Sequence, residues 1–231
     1  AATARAFAAE LRLDAHFIER ELPTAASSIV VDAAGRNLIV VALGANLALD
    51  VAAVDACLAN EALPTLLLAQ CEIDLDATAA ALAWARRHGV RAVLNPAPVP
   101  AGIEARHWRD AELLTPNETE FEALLRVIGT LPADGRLSEA HWQDDAYLHA
   151  QARRLGVPRV VITLGAAGAF VSVAEAARED AEPVCYRVAA PVVAVRDTTG
   201  AGDACSGALV AAWSEGHPFR QALTLAVHAA A

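Results

Sequence analysis

The feature that most constrains the fold is an alternation of short apolar runs with longer helical segments along the 231-residue chain. The helical segments are bounded by turn and capping residues, as in the stretch from Asp76 to His88, which ends at Gly89. Strands that alternate with helices of this length predict an α/β fold, in which a parallel sheet is covered by helices on both faces. In such a sheet, ligands bind at the carboxyl ends of the strands.

The pattern also predicts where each element lies. The predicted elements, in chain order, are helix 3–13, strands 27–32 and 37–43, helix 50–59, strand 65–70, helix 76–88, strands 91–94 and 112–115, helices 118–125 and 138–155, strands 159–163, 169–173, 184–188 and 192–195, and helices 203–214 and 218–230. The first two strands flank Ala33-Ala34-Gly35-Arg36, which is typical of a β-hairpin. Because a hairpin interrupts the alternation, residues 24–43 are predicted to form a small lid on a single domain of residues 1–231.

Charge and cysteine usage narrow the class of partner. The formal net charge of −10 argues against a nucleic-acid partner, which requires a basic surface. The apolar runs are shorter than the roughly 20 residues of a membrane-spanning helix, so no membrane partner is predicted. The four cysteines lack the spacing of a metal site or a disulfide framework, and no signal-peptide pattern is present, which favours the cytoplasm.

Lysine is absent, so every basic residue other than histidine is arginine. A Walker-type phosphate loop requires Gly-Lys-Ser/Thr, and Schiff-base chemistry requires a lysine amine, so both are excluded. Methionine is also absent, and the chain opens in what reads as the middle of a helix. We therefore expect a sequence that is incomplete at its amino end.

The run Asp197-Thr198-Thr199-Gly200-Ala201-Gly202-Asp203 leads into a helix and carries the chemistry. Small residues at a helix start let N–H groups converge on an anion, which the helix dipole also favours. Asp203, in the first turn, is placed to take the proton of a hydroxyl that attacks a phosphoryl group, while the amides of Ala201, Gly202 and Asp203 offset the charge. A dipole that stabilises the carboxylate weakens it as a base, but positioning dominates phosphoryl transfer. The alternative is a tight turn that Asp203 caps.

This run, extended by Gly207-Ala208-Leu209, resembles the carboxyl-terminal signature of the ribokinase, or PfkB-type, carbohydrate kinases. Four more segments resemble the family and occur in the family's order: Gly44-Ala45-Asn46, Leu94-Asn95-Pro96-Ala97-Pro98, Leu114 to Glu120 and Ile162 to Gly168. The resemblance covers nearly the whole chain. It implies a three-layer α/β/α ribokinase-like fold with a mostly parallel central sheet and a small β lid, and transfer of the γ-phosphate of ATP to a sugar hydroxyl.

The resemblance also implies roles for single residues. Asp203 takes the position of the catalytic base, and Gly200, Ala201 and Gly202 form the anion hole. Asp197 and the carbonyl of Thr199 match positions that hold a monovalent cation, usually potassium. A loop cap is the alternative for Asp197.

Two further segments are implied to bind the nucleotide and its magnesium. Asn117 and Glu120 match an Asn-x-x-Glu element, in which the glutamate organises Mg²⁺ and the phosphates; without the family, Asn117 is simply a helix cap. The implied ATP-binding residues are Asn117, Thr163, Leu164, Gly165, Ala166, Ala167, Gly168, Gly202 and Asp203. Ala167 departs from the family, which often has a lysine there, and a plain strand-end turn is the alternative for 163–168.

For the acceptor, Glu72 matches a sugar-binding glutamate, which would act beside Asp203; a solvated strand-end carboxylate is the alternative. The segments Asn95-Pro96-Ala97-Pro98 and 115–120 resemble ribokinases more than other members of the family, which implies ribose as the acceptor and ribose 5-phosphate as the product. Other sugars, sugar acids and nucleosides stay open, as does a non-catalytic binder of nucleotide or sugar. A dehydrogenase is disfavoured because no Gly-x-Gly-x-x-Gly follows the first strand. The family's first sugar-binding strand and its last segment have no counterpart, so incompleteness is expected at both ends, and the hairpin is implied to form a lid or a homodimer contact.

Overall fold

The computed structural model describes residues 2–31, 37–59, 62–179, 182–193 and 198–231. Its strands are β1 (Ala26–Val31), β2 (Asn37–Ala42), β3 (Leu66–Gln70), β4 (Arg91–Asn95), β5 (Leu113–Leu114), β6 (Arg159–Thr163), β7 (Ala169–Val173) and β8 (Cys185–Val188). The last six form one sheet in chain order, in which β3 to β6 are parallel, β7 runs antiparallel to β6, and β8 runs antiparallel to β7. The mostly parallel sheet confirms the predicted fold class.

The α-helices are α1 (Ala2–Glu10), α2 (Val51–Leu58), α3 (Leu75–Arg87), α4 (Glu118–Val127), α5 (Glu139–Gln143), α6 (Asp145–Arg153), α7 (Ala201–Ser214) and α8 (Phe219–Ala229). The caps are local, since Asp50, Asp74, Asn117, Ser138 and Asp144 each accept a hydrogen bond from the third backbone N–H that follows. Among the described residues, no helix is long and apolar enough to cross a membrane.

The helices cover both faces of the sheet, because neighbouring residues of each strand point to opposite faces. Leu94, with its neighbours on that face, packs against α3, α4 and α6, whereas Val93 packs on the other face against α7 and α8. β6 repeats the division, with Ile162 in the first core and Val161 in the second. The two apolar cores account for three layers and hold α7 against the sheet.

The strands β1 and β2 form a separate antiparallel hairpin, in register from Ala26 with Ala42 to Val31 with Asn37. This confirms the two strands predicted within residues 24–43, whereas the predicted turn at 33–36 lies outside the described residues. The apolar side chains Ile29, Val30, Val40 and Val41 are exposed. The assignment of the hairpin as a lid on a single domain stays a prediction.

Two predicted elements were wrong in part. The single helix predicted over 138–155 is two helices, because Asp144 has an extended backbone (φ −96°, ψ 99°) and accepts from the Tyr147 N–H at 2.9 Å as the cap of α6. Its own N–H still donates to the carbonyl of His141, so Asp144 ends one helix and starts the next. The strand predicted over 192–195 is absent at Val192 and Val193, which are exposed, and its other two residues lie outside the described part.

Candidate functional site

A cavity of about 140 Å³ lies at the carboxyl ends of β4, β5 and β6, beside the start of α7. The carboxyl ends of parallel strands lie at the same edge of the sheet. The cavity is therefore at the edge where the sequence analysis predicts that a ligand binds. The residues lining the cavity are Asn95, Ala97, Thr115, Asn117, Glu120, Val161, Thr163, Gly200, Gly202, Asp203, Cys205, Ser206 and Leu209. Six of the predicted site residues therefore line one cavity, although they come from three separate segments of the chain.

The start of α7 supplies one wall. Gly200 precedes the helix with a left-handed backbone (φ 77°, ψ 2°), which glycine adopts without strain, and no atom lies within 4 Å of the position that a Cβ would take. The Ala201 N–H donates to the carbonyl of Thr198 at 3.2 Å, so this predicted member of the anion hole is engaged within the turn. Gly202 and Asp203 complete the first turn, whose N–H groups point out of the helix. This wall can hold an anion.

Asp203 is exposed in that first turn and lines the cavity. Its Oδ1 accepts a hydrogen bond of 3.1 Å from Nε2 of Gln70, at the end of β3. The carboxylate therefore faces the cleft rather than packed protein, as its predicted role as a base requires.

The start of α4 supplies the opposite wall through a reciprocal capping box. Asn117 Oδ1 accepts from the Glu120 N–H at 2.9 Å, and Glu120 Oε2 accepts from the Asn117 N–H at 2.8 Å. Burial raises the pKa of the Glu120 carboxyl, and the hydrogen bonds from Asn117 oppose that rise. The box fixes a half-buried carboxylate at the edge of the cavity.

The donor set fits magnesium that arrives with a nucleotide. Glu120, Asn117, Asn95 and Thr115 present oxygen atoms around the cavity, and Mg²⁺ prefers oxygen ligands and keeps several waters. Among the described residues, no group of three or more His, Cys, Asp or Glu side chains is arranged to hold a metal by protein ligands alone. The oxygen atoms around the cavity suit a hydrated ion that is shared with phosphates.

Several residues that line the cavity or contact Asp203 were missed as site residues from the sequence. Asn95 is buried and donates through Nδ2 to the carbonyl of Thr115 at 3.0 Å, and Ser206 is buried beside them on α7. Cys205 also lines the cavity, and burial raises the pKa of its thiol. Gln70 and Asn95 are the last residues of neighbouring parallel strands, so the rule that ligands bind at strand ends was the available signal.

The predicted ATP-binding turn divides into two parts. Thr163 lines the cavity, and its N–H donates to the carbonyl of Pro116 at 2.9 Å, which joins β6 to the start of α4. The rest of the turn, from Leu164 to Gly168, connects β6 to β7 and does not line the cavity. Within it, Gly165, Ala166 and Ala167 are exposed.

Two of the remaining predicted residues, Glu72 and Thr199, are described and do not line the cavity. Glu72 is exposed. Thr199 is exposed in the turn before α7, and Asp197 lies outside the described residues, so the potassium site stays a prediction.

Cys71, between Gln70 and Glu72, is buried against the first core rather than in the cavity. Burial, with a smaller contribution from the charge of Glu120, raises the pKa of its thiol to about 12. Burial also raises the pKa of the Cys205 thiol, and a raised pKa lowers the thiolate fraction on which the nucleophilicity of a cysteine depends.

Comparison with known proteins agrees with this geometry. The model of the pfkB family carbohydrate kinases matches residues 4–231. The ribokinase of Schizosaccharomyces pombe is 35% identical over 211 residues, covering 90% of this chain and 61% of the relative. The mouse ribokinase is 32% identical over 194 residues, covering 82% and 54%. A Salmonella typhi deoxyribokinase is 28% identical over 182 residues, covering 78% and 53%.

Solved structures give the same result. The ribokinase of Thermotoga maritima superposes with a TM-score of 0.75 at 28% identity, covering 98% of this chain and 68% of that protein. The ribokinase of Cryptococcus neoformans, in complex with ADP, superposes with a TM-score of 0.71 at 27% identity, covering 91% and 65%. The chain spans 61%, 54% and 53% of the length of the Schizosaccharomyces pombe ribokinase, the mouse ribokinase and the Salmonella typhi deoxyribokinase, respectively.

Proposed function

Because the chain belongs to the pfkB family of carbohydrate kinases, we propose that it transfers the γ-phosphoryl group of ATP to the primary hydroxyl of ribose, giving ribose 5-phosphate. The observation that carries the proposal is the position of Asp203, whose carboxylate lines the cavity in the first turn of α7. The capping box of α4 places Glu120 on the same cavity. A base, a helix start and a second carboxylate around one cavity are the parts that phosphoryl transfer requires.

The proposed step follows from this arrangement. The sugar hydroxyl loses its proton to the Asp203 carboxylate while its oxygen bonds to the γ-phosphorus and the bond from that phosphorus to ADP breaks. The amides at the start of α7 offset the negative charge of the transferring group. Mg²⁺, when bound with ATP, neutralises phosphate charge, and Glu120 and Asn117 are the residues that would hold it. A monovalent cation beside Thr199 and Asp197 belongs to the same proposal.

The choice of ribose rests on the similarity to ribokinases, two of which are at least 32% identical to this chain. The similar deoxyribokinase makes 2-deoxyribose the second candidate. Glu72 is proposed to contact the sugar, and the turn from Thr163 to Gly168 to contact ATP. The similar Cryptococcus neoformans ribokinase was solved in complex with ADP, which supports a nucleotide as a ligand.

The substrate is tested by supplying the full-length gene product with ATP, Mg²⁺ and K⁺ and with ribose, 2-deoxyribose, a ketohexose, a sugar acid or a nucleoside. We expect the highest kcat/KM with ribose. Preference for 2-deoxyribose would replace ribose within the same function, and no phosphorylation of any acceptor would remove the enzyme and favour a non-catalytic binder.

The base is tested by Asp203→Asn. We expect kcat to fall by about 10³-fold or more, because the proton acceptor and its charge are lost while the backbone amides stay in place. ATP affinity, measured by calorimetry, should stay within about threefold, since a neutral side chain at the helix start does not repel phosphate. Unchanged turnover would remove Asp203 from the base role. Asp55→Asn, on α2, is the control for loss of a carboxylate outside the cavity.

A cytoplasmic location is proposed with this function, since all four cysteines are free, as in reducing compartments. A homodimer through the β1–β2 hairpin is also proposed, on the exposed apolar side chains of both strands.

A further inference from the structure

An amide side chain from the central sheet contacts the proposed base. Gln70 is the last residue of β3, and its Nε2 donates a hydrogen bond of 3.1 Å to Oδ1 of Asp203, 133 residues later in the chain. We propose that Gln70 is the positioning residue for the Asp203 carboxylate. The inference rests on the kinase function proposed above and deepens it.

The hydrogen bond gives the two carboxylate oxygens different tasks. Oδ1 accepts from Gln70, so Oδ2 is the oxygen that receives the proton of the acceptor hydroxyl. Asp203 is exposed, and an exposed aspartate without a fixed partner exchanges between rotamers. A fixed donor selects one rotamer, and the rate of an oriented reaction falls steeply when a reacting group is misplaced.

Gln70 can serve as a fixed donor because its backbone is held from two sides. It pairs with Asn95 in the parallel register of β3 and β4. Its carbonyl also accepts a hydrogen bond of 3.3 Å from Oγ1 of Thr78, which is buried on α3. The amide therefore projects from the rigid sheet toward the start of α7.

A neutral donor suits this position. An arginine here would form a stronger, charge-assisted bond and would compete with the proton and the phosphoryl group for the carboxylate. At the end of the neighbouring strand β4, the amide of Asn95 instead donates to the carbonyl of Thr115, the residue that follows β5. The ends of β3 and β4 thus each carry a side-chain amide: the amide of Asn95 donates to the backbone, and the amide of Gln70 donates to Asp203.

The first test is Gln70→Leu, which removes the donor and keeps an apolar side chain of similar size. We expect kcat to fall about tenfold to 100-fold, the cost of a hydrogen bond to a charged group, while the KM for ATP stays within about twofold. Gln221→Leu, an exposed position on α8 away from the cavity, is the matched control and should leave both constants unchanged. A merely structural role would instead lower thermal stability without this split between kcat and KM.

The second test, Gln70→Glu, is nearly isosteric and does not depend on the fold tolerating leucine. Two carboxylates at this distance share one proton. When the proton is present, the introduced glutamate donates to Asp203 as the amide does, whereas at higher pH the two charges repel. We expect the turnover of the variant, relative to the unchanged protein, to rise about tenfold as the pH falls from about 8 to about 6.

The outcomes separate the two proposals. No turnover by the unchanged protein overturns the kinase function and this inference with it. Two outcomes overturn the role of Gln70 alone. In the first, the kcat of Gln70→Leu stays within about twofold of that of the unchanged protein. In the second, the turnover of Gln70→Glu relative to the unchanged protein does not change with pH. A lower kcat with an unchanged KM, together with the pH-dependent ratio, establishes it.

Discussion

At the scale of single residues, Glu120, which is proposed to hold Mg²⁺, is a carboxylate whose burial on the cavity costs stability. Its carboxylate is half-buried and accepts from the Asn117 N–H, yet burial still raises its pKa. A raised pKa means that the folded protein holds the proton more tightly than the unfolded chain does. The ionised carboxylate therefore destabilises the fold above the raised pKa, and this cost disappears as the pH falls through that pKa toward the ordinary value.

We predict that Glu120→Gln is more stable than Glu118→Gln at neutral pH but less active. Both variants remove a first-turn carboxylate from α4, and the exposed Glu118 is the control for the helix dipole. The melting temperature of Glu120→Gln should be about 1–3 °C higher than that of Glu118→Gln near pH 8, and the difference should shrink at acidic pH. Turnover should fall about tenfold or more, because Mg²⁺ prefers a carboxylate to an amide. A difference that grows on acidification would contradict the assignment.

At the scale of elements, the turn between β6 and β7 is constrained by its packing against the end of β8. Gly168 has a φ of +88°, and a Cβ there would lie 2.0 Å from the carbonyl oxygen of Val188, at the end of β8. Gly165 has a φ of +53° and no atom within 4 Å of its would-be Cβ. Both positions therefore require glycine because of their positive φ, and Gly168 is required in addition because no room is left for a Cβ.

The two glycines make a matched pair of variants. Gly165→Ala should lower the free energy of unfolding by about 1 kcal/mol, the cost of a left-handed alanine. Gly168→Ala should lower it by about 3 kcal/mol or more, because the clash with the backbone of β8 adds to that strain. Urea unfolding at equilibrium measures both, and equal losses would show that the chain after β8 can move away.

At the scale of the whole molecule, α7 links the site to the opposite end of the sheet. Its first turn carries Asp203, and near its last turn the indole of Trp213 lies under the guanidinium of Arg91, 4.3 Å from the ring centroid. The buried Arg159, at the start of β6, lies 5.8 Å from the same ring and is paired with Glu112. The helix is thus anchored at the far end of the sheet.

The β1–β2 hairpin raises a prediction about assembly. Val30 and Val40 are 59% and 60% exposed, an unusual state for strand valines unless another surface covers them. If two hairpins form the proposed homodimer, Val30→Arg with Val40→Arg should convert the dimer to a monomer in sedimentation equilibrium, because charges would be buried without partners. Leu225→Arg, an exposed leucine on α8, is the control. A monomeric unchanged protein, or a dimer that survives the double substitution, would remove the hairpin as the contact.

Much of the fold was predictable because its signals are local. Capping residues such as Asp74 and Asn117 accept a hydrogen bond from an N–H three residues away. The periodicity of apolar residues in strands and helices is likewise visible within one segment. The layered α/β fold could therefore be predicted from the sequence. The break at Asp144 was missed, because periodicity does not show that an acidic side chain will cap the next turn instead of continuing the helix.

The sequence by itself determined the fold class, the glycine-rich start of α7, and Asp203 in its first turn. Only the tertiary structure decided which distant residues meet at the site, since Gln70 contacts Asp203, 133 residues later in the chain, through the register of the sheet and the packing of α7. The tertiary structure also decided that residue 168 must be glycine, because the backbone at the end of β8 leaves no room for a Cβ there. No local sequence pattern indicates this contact. The physical reason is that caps and periods act over a few residues, whereas a site is assembled by long-range packing that no single segment encodes.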